Sequence, residues 1–460
     1  MTGIAGVVGS QDEEVVKGML QKINHRGKKQ TVFSGKNLAL GICWHESAET
    51  PYFEKSGILC GVDGTAKPEE IAMALRKKCL RNIPGSFAGF FAGEKFIIFR
   101  DHFGVKPMYF ALSKGKLYFG SEIKCFQGLD AERVEFVKPG EIILWNNGKL
   151  QRERYYVLRT GEKKISAEEC ISGILRLLRE GVASNLSEDT GALLSAGLDS
   201  AAIVFLASKR IKKLKTFVAA FEAGSEDALL SEKLASELGL EHTVVEYGLK
   251  EMLDVLPEVI YHLESFDFAL VRSAIPNYIV VREAAKHVRT LLSGEGGDEL
   301  FAGYSYLENI PGNLNSELRK LLYIAHNNAF QRDDRMFAAH GVDCRVPFLH
   351  LPLVEFAFGI PSEYKIQNGV RKWILRRAIE KAGLPDYIVN REKRKFSDGA
   401  GSMFAIEEYV ENRISDREFE IARKELRFVR TKEELFYYRI FCSHFKGMEH
   451  LVGITERPER

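Results

Sequence analysis

The stretch Gly191–Arg210, GALLSAGLDSAAIVFLASKR, decides how the second half of this 460-residue chain is read. A short apolar run ends in a polar loop, Ser195-Ala196-Gly197-Leu198-Asp199-Ser200, and the loop opens into a helical pattern. Strand, tight loop and helix in that order aim backbone N–H groups at a phosphate chain and set the positive end of a helix beside it. An ordinary strand-to-helix corner looks the same locally, so the flanking sequence has to separate the two.

On both sides of this stretch, strand patterns alternate with helical ones. Ser166 with Glu169 three residues on marks a helix start, carried by Ile171, Ile174, Leu175 and Leu178. Strands are expected at 191–195, 214–221, 241–245 and 290–293, and helices at 201–209, 227–238, 252–265 and 273–287. That alternation predicts a parallel sheet covered on both faces, with its site beyond the carboxyl ends of the strands. A second glycine-rich turn falls at that edge: Ser293-Gly294-Glu295-Gly296-Gly297-Asp298-Glu299, after an apolar strand. Three acids so close repel unless a cation or strong donors neutralise them. Asp199 and Asp298 are therefore expected to face a pyrophosphate-bound Mg²⁺, the alternative being a solvated acidic turn. Residues 314–350 and 353–364 read as mostly helical, 372–381 as a basic amphipathic helix, and 428 onward as a helix and a polar tail.

The first half is strand-rich. Apolar runs such as Ile4–Val8, Leu38–Ile42, Phe87–Phe91, Phe96–Phe99 and Glu141–Trp145 are broken by Gly, Lys and Asn, and Asn147-Gly148 predicts a tight hairpin turn. Helical patches fall at 12–23 and 67–79. Two antiparallel sheet layers with helices outside are expected. Residues 160–164 read as a linker.

Bulk properties narrow the function classes. Sixty-five basic against 63 acidic residues leave +2, which calls for neither nucleic acid nor an anionic membrane. The five-residue basic run Arg391–Lys395 reads as surface or as the rim of an anionic substrate's entrance. No apolar run approaches the roughly 20 residues that span a bilayer, and no signal-peptide pattern opens the chain. Seven scattered cysteines without a C-x-x-C pair suit a cytoplasmic protein with free thiols.

The motifs carry a resemblance. Ser195–Ser200 resembles the pyrophosphatase-loop signature Ser-Gly-Gly-Leu-Asp-Ser, with Ala196 in place of a glycine, a change expected to cost little if that position uses an ordinary φ. Ser293–Glu299 is similar to the corresponding asparagine synthetase segment. Val271–Pro276, Arg345–Leu349, Lys372–Arg376, Lys395–Gly399 and Thr431–Arg439 extend the likeness to the asparagine synthetase family. In the first half, Arg100–Phe110 with Gly120–Lys124 resembles a class II, N-terminal-nucleophile glutamine amidotransferase domain. The implied organisation is an Ntn-hydrolase-like antiparallel sandwich over 1–157 and an adenine-nucleotide α-hydrolase-like (PP-loop) parallel-sheet domain over 165–455.

The resemblance implies a ligase that joins ammonia to aspartate through β-aspartyl-AMP, with ATP and Mg²⁺ as cofactors and frequent dimer formation. Ser195, Gly197 and Ser200 are then expected to hold pyrophosphate, with Ser293 and Gly294 beside them. Asp199 and Asp298 would hold the metal, and Lys372 the charge at the α-phosphorus. Glu295 is the candidate proton acceptor from ammonium, Arg272 a candidate carboxylate grip, and Ser225 with the 217–221 strand end a nucleoside support. The family's glutaminase site begins with cysteine, whereas this chain has Thr2. Its Arg-Gly-Pro-Asp reads Arg26-Gly27-Lys28-Lys29, and its Asn-Gly-Glu reads Asp63-Gly64-Thr65. A charged Asp63 lacks the donor that an amide offers an oxyanion. A degenerate glutaminase site is expected, the alternative being altered amidase chemistry at an exposed Thr2. Two other readings stay open: a ligase that adenylates a different carboxylate, and a non-catalytic ATP-binding regulator on the same fold.

Overall fold

The computed structural model of the chain describes residues 1–448 apart from Ser47, Glu132, Asn147, Ala223, Gly224, Pro311 and 392–401, with the side chains of 402–404 also set aside. The first half forms two six-stranded antiparallel sheets. One contains β1 (Thr2–Val8), β2 (Lys29–Gly35), β3 (Leu38–Trp44), β8 (Tyr109–Ser113), β9 (Lys116–Gly120) and β10 (Val134–Phe136), in the order β10-β8-β9-β1-β3-β2. The other contains β4 (Tyr52–Lys55), β5 (Ile58–Gly64), β6 (Phe87–Ala92), β7 (Phe96–Arg100), β11 (Glu141–Asn146) and β12 (Lys149–Arg154), in the order β12-β11-β7-β6-β5-β4.

Strand alternation builds the core. Ile4 and Val8 of β1 turn inward to meet Leu40, Ile42, Phe90, Ile98 and Phe119, while Val7 on the opposite face meets Val16 of α1 (Glu13–Lys22). Gly41 is there because the helix lies close: a Cβ would stand 2.6 Å from Val16 Cγ1. Helix α2 (Pro68–Arg76) buries Ile71 on the other sheet, against Cys60 and Phe87. The expected sandwich with outer helices is thus present.

The second half carries a five-stranded, wholly parallel sheet of β13 (Thr190–Leu193), β14 (Lys215–Phe221), β15 (Glu241–Tyr247), β16 (Thr290–Leu292) and β17 (Asp343–Arg345). Its order is β15-β14-β13-β16-β17. The chain's winding reverses between β13 and β16, so the crevice of such a sheet opens beyond those two strand ends. Both glycine-rich loops emerge there. The sequence misses one strand of this sheet. Within 314–350, helices α9 (Leu314–Ile324) and α10 (Ala329–Ala338) are followed by β17, whose three residues are too short and too polar to show a period. Pairing with β16 makes it a strand.

Buried charge joins the two halves. Arg26, Lys106, Glu122 and Lys124 of the first meet Asp334, Arg335, Asp343 and Glu264 of the second, and all eight are buried. Lys106 Nζ lies 2.9 Å from Asp343, Lys124 Nζ 3.0 Å from Glu264, and Arg335 3.2 Å from Glu122. Arg26 bonds Asp334 and Glu122 and stands 3.4 Å from Asp63. The Glu264 carboxylate also accepts the Ile123 and Lys124 backbone N–H groups at 2.9 and 2.7 Å. With Arg345 beside Asp343 at 2.6 Å, five bases (Arg26, Lys106, Lys124, Arg335, Arg345) face five acids (Asp63, Glu122, Glu264, Asp334, Asp343). Removing one member leaves an uncompensated buried charge, at a cost of about 3–5 kcal/mol.

Burial opposes ionisation of Glu122, Asp334 and Asp343, yet the surrounding cations outweigh it and hold all three carboxyls below their ordinary values. Their folded pKa values lie under the unfolded ones. The stability they supply is therefore complete above the ordinary carboxylate range and drains away as pH falls through the folded values. The expected melting profile is flat with respect to these groups from about pH 5 upward and declines below about pH 4. Calorimetry across pH 2–8 checks this. A decline that begins near pH 6 in an Asp343→Asn variant and the parent alike would contradict it.

Candidate active site

The first loop leaves β13 and enters α4 (Leu198–Ser208). Ser200 staples it: its Oγ accepts from Ser195 N at 3.2 Å, pairs with Ser195 Oγ at 3.2 Å and donates to Gly197 O at 3.2 Å. Ala196 is fully buried with φ +53°. The expectation of an ordinary φ is overturned: the position is left-handed, and alanine there costs about 1 kcal/mol relative to glycine. Gly197 is the helix N-cap and has an ordinary φ of −70°. A Cβ on it would meet nothing nearer than Ser195 Oγ at 3.4 Å, so the protein itself leaves that place open.

The second loop leaves β16 and enters α8 (Gly297–Phe301). Its glycines let the loops touch. A Cβ at Gly294 would lie 2.8 Å from Ser200 N, and one at Gly297 2.5 Å from Asp199 Oδ1. One at Gly303 would lie 1.7 Å from Asp298 Oδ1 and 2.4 Å from Lys372 Cε. Lys372 arrives from a third direction. It follows the hairpin Ile366–Gln367/Val370–Arg371, takes φ +57°, and caps the helix Trp373–Ala382 rather than lying inside it. Its buried ammonium bonds Asp199 Oδ2 and stands 2.5 Å from Asp298 Oδ1. The three side chains most important to the sequence reading therefore converge, with the two aspartates turned onto Lys372.

This donor set fits Mg²⁺. Asp199 Oδ1 is buried and accepts no hydrogen bond among the described residues. No group of three or more His, Cys, Asp or Glu that would cage a metal occurs among the described residues. Mg²⁺ commonly takes one or two carboxylates and completes its shell with phosphate oxygens and water.

Other expected site residues are engaged elsewhere. Glu295 is bonded by Arg332 of α10, which also reaches Asp333 at 3.0 Å. Asp333 in turn accepts from Ser293 Oγ at 2.6 Å and Asn277 at 2.9 Å. The Ser293 hydroxyl thus points into this network. Arg272 donates to both oxygens of Glu433 at 2.8 Å and to Glu407 at 3.1 Å. Its guanidinium fork ties its helix, α7 (Phe268–Ala284), to the C-terminal helix Lys432–His444 and does not meet the Lys372 cluster. Ser225 caps the helix Glu226–Glu237 by accepting from Ala228 N at 3.3 Å. Beside it, Asp227 pairs with Arg391 at 2.5 Å, and Arg391 reaches Ala196 O at 3.4 Å. The rest of the basic run and the segment 395–399 lie outside the described residues.

Sequence reasoning missed Arg332, Asp333 and Tyr304, and gave Glu299 no role beyond its place among the three acids. Burial pushes the Glu299 carboxyl up to about 7, with Glu295 adding to the effect; Tyr304 OH donates to it. Burial also pushes Asp333 up to about 6. A run of charges such as Arg332–Arg335 reads as a solvated helix face, and nothing local in the sequence says that it is interior.

In the first domain, Thr2 is buried opposite Trp44 in the β1–β3 ladder. Asp63 lies between Arg26 and Lys106, at 3.4 and 3.9 Å. Gly64 has φ +139°, and a Cβ there would meet Ser86 O at 2.0 Å. Arg26 and Asp63 are thus occupied by the inter-domain charges.

Comparison with known proteins follows the same division. The family described as asparagine synthase matches residues 173–322 and 312–451, and a glutamine amidotransferase domain matches 64–128. The chain is 32% identical over 401 residues to an asparagine synthetase [glutamine-hydrolyzing] of Bos taurus, covering 77% of this chain and 71% of that one. It is 30% identical over 428 residues to asparagine synthetase B [glutamine-hydrolyzing] of Escherichia coli (strain K12), covering 86% and 76%.

Two outcomes are expected. Gly197→Ala should fold with only a small fall in Tm, that of a poorer helix N-cap, yet bind ATP at least tenfold more weakly in calorimetry, because its methyl would stand where the loop reading sets the phosphate chain. Glu299→Gln should raise Tm at pH 8, since the folded carboxyl's pKa of about 7 lies above its unfolded value. That gain should shrink as pH falls through 7 toward 4, where the folded and then the unfolded acid become neutral.

Proposed function

The chain belongs to the asparagine synthase family, and on that footing we propose that it is an ATP-dependent, AMP-forming ligase that makes asparagine from aspartate and free ammonia. The observation that carries this reading is the Lys372 ammonium held by Asp199 and Asp298 where β13 and β16 end. We assign the glutamine amidotransferase-like domain to residues 1–157 and the synthetase domain to 165–455.

In the first step the aspartate β-carboxylate oxygen attacks the α-phosphorus of ATP, and the bond to the β-phosphate oxygen breaks. Backbone N–H groups of the Ser195–Ser200 loop, with Ser195, Gly197 and Ser200, bind the departing pyrophosphate, and Ser293 and Gly294 close the loop's other side. Asp199 and Asp298 would hold Mg²⁺, which neutralises charge on the pyrophosphate. Lys372 stabilises charge growing at the α-phosphoryl oxygens. Ser225 fixes the helix that flanks the nucleoside. In the second step the ammonia nitrogen attacks the acyl carbon, the C–O bond to AMP breaks, and the proton shed by nitrogen passes to a carboxylate. Glu295, part-exposed and oriented by Arg332, is the acceptor.

The preference for ammonia draws on Thr2 in place of a terminal cysteine and on Asp63 and Arg26 paired with inter-domain charges. No helix among the described residues is long and apolar enough to cross a membrane, and all seven cysteines are free, which suits the cytoplasmic setting we assign. The substrates are small molecules, and a homodimer is proposed by family analogy. A ligase for a different carboxylate is the second reading. It is favoured by one observation: Arg272, the expected carboxylate grip, is doubly bonded to Glu433.

Pyrophosphate release across an amino-acid panel, with ammonium chloride and glutamine compared, tests the proposal. Aspartate with ammonium should give asparagine, and glutamine should support less than a tenth of that rate. Asp298→Asn should lower ATP–pyrophosphate exchange at least a hundredfold. ATP binding without turnover on any amino acid would sink the ligase reading in favour of a regulatory protein.

A further inference from the structure

Helix α10 carries four consecutive charged residues, Arg332-Asp333-Asp334-Arg335, and they divide between two sites. Arg332 and Asp333 hold the synthetase loop through Glu295 and through Ser293 Oγ at 2.6 Å. Asp334 and Arg335 hold the amino-terminal domain. Asp334 bonds Arg26 and lies 3.6 Å from Lys106, while Arg335 lies 3.2 Å from Glu122 and donates to Ser121 O at 3.1 Å. Asp333, Asp334 and Arg335 are 2% exposed or less. The helix is ten residues long and the two pairs share one hydrogen-bonded turn of it, so a displacement of one pair carries the other with it.

Apolar packing alone would let such a helix slide or rotate at modest cost. Buried ion pairs do not, because each displacement leaves a charge out of water and away from its partner. Arg26 and Asp63 stand where the resemblance places glutamine-handling groups, yet here they belong to this clamp.

We propose that the amino-terminal domain is retained as a positioning element of the synthetase centre, with Arg26, Lys106 and Glu122 fixing α10 through Asp334 and Arg335, and α10 fixing Glu295 and Ser293. Arg26 is then a positioning residue for a reaction about which its own domain does no chemistry. This rests on the ligase reading for its kinetic part only.

The test is Arg26→Met in the full chain, read by hydrogen exchange and by ammonium-dependent pyrophosphate release. The expected result is at least tenfold faster exchange at 293–299 in the other domain, with exchange at 215–221 and 241–247 unchanged. A fall in kcat of at least tenfold should accompany it at substrate saturation. A merely stabilising domain would lower Tm and speed exchange everywhere while leaving kcat intact below the melt. That result overturns the proposal, as does a folded variant with unaltered exchange at 293–299. Should Arg26→Met not fold, Asp63→Asn, which keeps the side chain's shape and removes one charge from the same hub, is read the same way. It is expected to give a smaller, at least threefold change, and parental values overturn the proposal. The exchange measurement needs no turnover. A protein inactive on aspartate but showing the selective exchange change would therefore overturn the ligase reading and leave the clamp standing.

Discussion

One ammonium group between two carboxylates sets the geometry of the synthetase half. Asp199, Asp298 and Lys372 come from three separate connections, and Asp199 and Lys372 are 173 residues apart in the chain. Bringing them together requires backbone to touch backbone at Gly294 and side chains at Gly297 and Gly303, where even a methyl group would collide. It also requires strain. Ala196, Ala302 and Lys372 all take left-handed conformations around this cluster, at φ +53°, +62° and +57°. Non-glycine residues hold such conformations at a cost of about 1–3 kcal/mol each, and only where surrounding structure over-determines them. The parallel sheet supplies that determination by delivering both loops at the point where its winding reverses.

Burial produces opposite electrostatic results at two places. At the domain junction the buried bases hold Glu122, Asp334 and Asp343 below the ordinary range, although burial still pushes Asp63 up beside Lys106 and Arg26. In the second loop burial and the neighbouring acid Glu295 push Glu299 up to about 7, outweighing the Tyr304 hydroxyl, a backbone N–H and the charge of Lys372. The desolvation is comparable; the local supply of cations differs. The first arrangement suits a permanent joint, and the second keeps a proton exchangeable near neutral pH, as sites that handle protons require. Helix α10 touches both, since Asp333 belongs with the loop and its neighbour Asp334 with the joint.

Much of the fold was legible because it rests on local periodicity. The short apolar runs of β1, β3 and β6, broken by turn residues, declare strands that are covered on both faces, and the alternation of strands with helices from Ser166 onward declares a parallel sheet. The two loops were legible because glycine and acid spacing is itself the chemistry. Illegible parts share a different origin. β17 is a strand only because β16 pairs with it. Asp334 and Arg335 are interior because the amino-terminal domain closes over them, and Asp333 because the second glycine-rich loop does. Arg272, whose fork and family resemblance suggest a carboxylate grip, is taken instead by Glu433, 161 residues away.

The sequence by itself determined the two layer architectures and set two glycine-rich, acid-bearing loops at strand ends, because propensity, pattern and short-range spacing are properties of contiguous residues; Lys372 joined them only through the family resemblance. Only the tertiary structure decided that Ala196 is left-handed, that Glu295 answers to Arg332, and that Arg26 and Asp63 serve a joint between domains. Those outcomes depend on which charges are taken out of water together. Desolvation is set by what covers a side chain, and what covers it here comes from residues tens to hundreds of positions away.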